Sequence, residues 1–210
     1  MEIIAHRGYW LKSEEKNTFS ALSIALEKGY GVETDIRDID GRLAISHDMP
    51  ALSSVLYLDD FLEFYSSKKF HATLALNVKS DGLHKRLKHM LTRYGVDNYF
   101  VFDMSVPDTF GYLDSCIKTY IRRSDFEYHP ELMHLSDGVW MDELKRTWIS
   151  KASILELFEN AKKICIVSAE VHGRQTEHQW QQIKLAKDFM RVDNLMICTD
   201  KPDAAERYFN

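Results

Sequence analysis

Short apolar runs alternate with stretches of helical periodicity along the whole 210-residue chain, and this alternation restricts the fold more than any other feature of the sequence. It predicts strands over 2–5, 32–37, 73–78, 99–103, 117–121, 138–141, 164–168 and 195–198. Between them lie helical patterns such as Phe19, Leu22, Ala25 and Leu26 before Gly29, or Leu83, Leu87, Met90 and Leu91. A helix is predicted over 149–162, and 125–135 reads as irregular loop. Strands separated by helices imply a parallel sheet with helical crossovers, and eight such units point to a (β/α)8 TIM barrel rather than an open sheet. No linker or low-complexity segment interrupts them, so residues 1–210 read as a single domain.

In such barrels the chemistry lies at the C-terminal ends of the strands. Those ends are polar here: His6-Arg7, Glu33 and Asp35, Asn77 and Lys79, Asp103, Arg122-Arg123, Asp142-Glu143, Glu170 and His172, and Thr199-Asp200. Glu33 and Asp35 are two apart, so both carboxylates leave one face of the second strand. Asn77 and Lys79 repeat that spacing on the next strand. Asp40-Gly41 between apolar runs is a two-residue hairpin signal, because both central positions of a type I′ turn need positive φ. A hairpin centred there returns His47 to the side of Thr34. Two hard oxygen ligands suit Mg2+ or Ca2+, and an imidazole near neutrality can move a proton beside such an ion. Asn17 or Thr18 can cap the first helix, and Thr199-Asp200 reads as a cap before Pro202.

Charge and composition exclude several classes. A net charge of -5 and pI about 6.0 argue against a broad nucleic-acid surface. No run reaches the length needed to cross a bilayer, and nothing at the N-terminus resembles a signal peptide, so a cytoplasmic protein is expected. Cys116, Cys165 and Cys198 are odd in number and widely spaced, which reads as buried, reduced thiols.

Ile4-Ala5-His6-Arg7-Gly8, Asn17-Thr18, Glu33-Thr34-Asp35, Asp40-Gly41, His47-Asp48, Lys79 and Thr199-Asp200-Lys201-Pro202 resemble the glycerophosphodiester phosphodiesterases from the first strand to the last. The resemblance implies a (β/α)8 barrel of the phospholipase C-like type that uses a divalent cation to hydrolyse glycerophosphodiesters to glycerol phosphate and an alcohol. It implies His6 and His47 as the acid/base pair, Arg7 and Lys79 as phosphate contacts, and Glu33, Asp35 and Asn77 in the metal-ligand positions. The implied partner is a small phosphodiester.

Three departures mark this chain. Asn77 stands where a third metal-binding carboxylate is usual, which lowers the site's negative charge and its expected affinity, with Glu143 or Glu170 as candidates to compensate. Lys16 replaces an acidic residue before Asn-Thr. Only about 30 residues separate His47 from Asn77, so the small insertion common there is reduced. Two rivals use the same barrel: a phosphodiester lyase that forms a cyclic phosphate, and a non-catalytic phosphate- or lipid-headgroup-binding protein.

Overall fold

The computed structural model describes residues 1–50, 54–160, 162–189 and 194–210. Its strands are β1 (Glu2–His6), β2 (Gly31–Ile39), β3 (Arg42–Ile45), β4 (Leu56–Tyr57), β5 (Leu74–Val78), β6 (Tyr99–Phe102), β7 (Tyr120–Ser124), β8 (Gly138–Asp142), β9 (Lys163–Val167) and β10 (Leu195–Thr199). The helices are α1 (Phe19–Glu27), α2 (Leu58–Ser67), α3 (His84–Arg93), α4 (Val106–Asp114), α5 (Pro130–Leu135), α6 (Lys151–Glu159), α7 (Glu177–Lys187) and α8 (Pro202–Phe209).

The chain forms two compact units. One contains Met1–His6 and Tyr120–Asn210, with parallel strands in the order β1-β10-β9-β8-β7. Its strands are buried on both faces, as crossover helices require, and Ile4, Val139, Ile164, Ile166 and Ile197 are fully enclosed. The other, Arg7–Thr119, carries β2, β5 and β6 in parallel, with β3 and β4 added antiparallel at the β2 side. Val32, Ile36, Leu74, Leu76 and Val101 form its sheet core, covered by Leu22, Leu62 and Leu87 from the helices.

Each predicted strand is present, with one displaced. The fifth begins at Tyr120, not Ile117. Ile117 instead closes the end of α4, its amide donating to the Tyr112 carbonyl, and Thr119 makes only an isolated bridge to Val101. The Ile117 side chain is buried although it lies outside the strand. The stretch read as loop contains α5, started by Pro130, whose fixed φ suits a first helical turn. The helix predicted over 149–162 starts later, after the Ser150 cap, and ends at Glu159; residue 161 lies outside the described residues. All three cysteines are free, but Cys116 is exposed, in the positive-φ turn that follows α4. Among the described residues no helix is long and apolar enough to cross a membrane.

Candidate active site

Asp35 is buried to 0% exposure in β2, and Glu33 is nearly as enclosed. The parallel register sets Asp35 opposite Asn77 and Glu33 opposite Ala75. A carboxylate so far from water needs cations or donors. Arg7 Nε lies 2.9 Å from Asp35 Oδ2, and the Lys79 ammonium lies 3.4 Å from Oδ1. The Asn17 amide donates to Oδ2 at 2.8 Å. Lys79 also approaches Asp103 at 3.9 Å. The Arg7 backbone amide donates to Glu33, reaching the carbonyl at 3.0 Å and the side-chain Oε2 at 3.2 Å.

Local backbone conformation makes this possible. After β1 the chain turns through positive φ at Arg7 (57°) and Gly8 (92°). A Cβ at Gly8 would sit 2.6 Å from the Ala21 carbonyl carbon, so only glycine lets the turn pack against α1. Arg7 carries the strain of a left-handed conformation, a feature that clusters at functional sites. Thr18 caps α1 by accepting from the Ala21 amide, which leaves Asn17 for other work. Asn17, at φ 60°, accepts from Thr34 Oγ1 at 2.8 Å while its amide holds Asp35. The sequence left the cap open between these two residues; the one not needed as a cap is the one that orients the carboxylate.

The hairpin turns at Asp40 (φ 50°) and Gly41 (φ 76°), with Ile39 paired to Arg42 and Ile36 to Ile45. The Ser46 amide donates to the Asp35 carbonyl, which extends the register to the site. His47 follows. Its carbonyl accepts from Arg37, and its ring is half exposed, with Nδ1 2.9 Å from Asp48, itself 92% exposed.

His6 ends β1 and belongs to the other unit. Its Nδ1 lies 2.6 Å from Asp200 Oδ1, in the turn after β10. An ionised carboxylate only accepts, so Nδ1 carries the proton shared in this pair. Asp200 is itself fixed: Glu170 Oε1 accepts from the Asp200 amide at 3.1 Å and from the Thr199 hydroxyl, while Oε2 accepts from Ser168. At the start of α8 the N-cap is Lys201, whose amide donates to Thr199 Oγ1 at 3.0 Å, while Asp200 turns to His6. A second pair occupies the same unit, with His172 Nε2 2.7 Å from the buried Asp142 Oδ1.

Glu143 accepts from the backbone amides of Trp148 and Ile149, and from Arg174 and Gln179. Glu143 and Glu170, the two candidates to compensate for Asn77, are thus each engaged by donors of their own unit. Arg122 pairs with Glu127 and Arg123 with Glu156.

Glu33, Asp35 and Asn77 offer only hard oxygen donors. Asp35 Oδ1 and Asn77 Oδ1 are buried on register-paired residues, and neither accepts a hydrogen bond. Asp35 Oδ1 has the Lys79 ammonium at 3.4 Å, while Asn77 Oδ1 is an orphaned acceptor of the kind that suits a hard, oxygen-seeking cation. Among the described residues no group of three or more His, Cys, Asp or Glu is arranged to hold a metal.

The fold is a (β/α)8 barrel of the kind seen in glycerophosphodiester phosphodiesterases and a phospholipase C of known structure. A candidate glycerophosphodiester phosphodiesterase from Galdieria sulphuraria superposes with a TM-score of 0.79 at 15% identity, over 99% of this chain and 97% of that one. The glycerophosphodiester phosphodiesterase of Agrobacterium tumefaciens gives 0.69 at 19% identity, over 99% and 98%. A calcium-dependent phosphoinositol-specific phospholipase C from a Pseudomonas species gives 0.61 at 11% identity, over 97% and 89%. No family model and no curated protein sequence matches the chain.

Proposed function

We propose that the chain is a metal-dependent phosphodiester hydrolase that cleaves glycerophosphodiesters to glycerol phosphate and an alcohol. The observation that carries this reading is the enclosed Asp35, held between Arg7 and Lys79 and paired in the strand register with Asn77, whose buried Oδ1 accepts no hydrogen bond. Glu33, Asp35 and Asn77 hold the cation in this proposal. When bound, it supplies Lewis-acid stabilisation of charge on the phosphoryl oxygens.

Arg7 and Lys79 bind the non-bridging oxygens through their outward N–H groups, and both are anchored by Asp35 so that little reorganisation accompanies charge build-up. His6, with Nδ1 committed to Asp200, accepts a proton at Nε2 from the nucleophile or returns one to the leaving alkoxide; His47 performs the complementary transfer. The nucleophile is water in the hydrolytic reading. A second reading, a vicinal hydroxyl of the substrate as nucleophile, draws support from the likeness to the Pseudomonas phospholipase C and ends in a cyclic phosphate.

The test is a coupled release assay over glycerophosphodiesters of different headgroups, with Mg2+, Ca2+, Mn2+ or EDTA. Release of glycerol phosphate that stops on chelation supports the proposal. A cyclic phosphate as the final product selects the second reading, and binding without turnover in every cation leaves a non-catalytic phosphate binder.

A further inference from the structure

A cavity of about 560 Å³ opens beside Arg7 within the Arg7–Thr119 unit. Phe19, Val55 and Leu56 give it apolar wall, and Lys16 and His47 stand in its lining. Arg7 belongs both to this lining and to the Asp35 cluster. Arg7, a phosphate contact in the proposed function, thus joins the cavity to the Asp35 cluster.

The sign of the charges around that space decides what fits. Arg7 and Lys16 are cationic, and the one acid among the described lining residues is Asp48, which faces solvent and pairs with His47. A cationic alcohol such as choline is ordinarily held over an aromatic face or against a carboxylate. Trp10 is the nearest indole in sequence to the lining residues at 13–19, but the Lys16 ammonium lies 4.2 Å from its ring centroid. Phe19 carries the one phenyl ring among the described lining residues and packs edge-on with Phe64 at 5.1 Å between centroids, so an ammonium entering the cavity meets the cations Arg7 and Lys16 and no buried carboxylate.

Resting on the phosphodiesterase reading above, we propose that this cavity receives the alcohol half of the substrate and selects neutral polyol or anionic groups against ammonium-bearing ones. Lys16 is the specificity-determining residue. Glycerophosphoinositol and glycerophosphoglycerol are the diester types that fit; glycerophosphocholine does not.

Two measurements separate this inference from the function it rests on. The first is kcat/KM for glycerophosphoinositol, glycerophosphoglycerol and glycerophosphocholine with the native chain, Lys16→Met and Lys16→Glu. The native chain should favour the polyol diesters by about tenfold or more, and Lys16→Glu should shrink or reverse that ratio by a similar factor, with Lys16→Met between them. The second is calorimetric binding of inositol 1-phosphate and phosphocholine to the same three proteins, which needs no turnover. A native preference for the choline compound, or a ratio unchanged in both variants, overturns the inference. If no diester is hydrolysed, the phosphodiesterase reading falls, and the binding ratio alone decides the cavity's selectivity.

Discussion

His6 Nδ1 and Asp200 Oδ1 stand 2.6 Å apart although 194 residues separate them in the chain. The parallel pairing of β1 with β10, which sets Ala5 beside Thr199, brings the two turns together. Asp200 touches no reacting atom in the proposed mechanism; it fixes the tautomer and orientation of the histidine that does. Asp200→Asn can offer an amide donor to Nδ1 and so favours the wrong tautomer. The expected result is a loss of about 10²–10⁴-fold in kcat with KM little changed and the pH profile displaced. A purely structural role would instead lower thermal stability and leave the pH profile of the remaining activity as it was.

Asn17 should matter through Asp35. Asn17→Ala removes the acceptor for the buried Thr34 hydroxyl and leaves Asp35 Oδ2 with Arg7 but without its amide donor. A loss of about 1–3 kcal/mol in denaturant unfolding is expected, with turnover falling as well. Thr18→Ala removes the helix cap instead, and should cost about 1 kcal/mol with turnover per folded molecule retained.

Replacing the amide at position 77 tests the cation site. Asn77→Asp restores a carboxylate beside Asp35 and should lower the Mg2+ or Ca2+ concentration needed for half-maximal effect by about tenfold. Thermal midpoints measured against cation concentration give a readout apart from catalysis, since an ion that binds the folded state raises the midpoint. An unchanged cation dependence of both activity and midpoint would show that Asn77 faces no ion.

Asp125 clamps the segment after β8, accepting from the amides of Leu144, Lys145 and Arg146. Burial pulls its pKa up, but these backbone donors outweigh that and hold it below the ordinary carboxylate value. A depressed folded-state pKa gives stability that is present above the unfolded value of about 3.9 and is lost as pH falls through the folded one. Asp125→Ala should therefore be less stable than the native chain by about 1 kcal/mol at pH 7, at the low end because solvent screens the site. The gap should close in acid. A gap that persists at pH 2 contradicts the assignment.

Parity and turn chemistry made much of the site readable in advance. Asp35 stands opposite Asn77 in the register and meets Lys79, as the alternation of side chains along strands led one to expect, and Asp40-Gly41 fixes the hairpin register because both residues adopt positive φ. What escaped was non-local. Nothing near Asp200 reveals His6 as its partner, and nothing near Asp142 reveals His172. Asn17 was hidden by a local ambiguity, since two adjacent residues could each cap α1. Glu143 and Glu170 looked like spare ligands for the cation because sequence shows charge but not the amides and hydroxyls that consume it. The late start of β7 has the same origin, as burial of Ile117 outside the strand is indistinguishable in sequence from burial in a sheet.

The most direct test is the rate of glycerol phosphate release from a glycerophosphodiester that the native chain turns over, compared with His6→Ala under the same saturating Mg2+ or Ca2+. A drop of about a hundredfold or more, with substrate binding retained, is the predicted result. Release by His6→Ala at close to the native rate would contradict it.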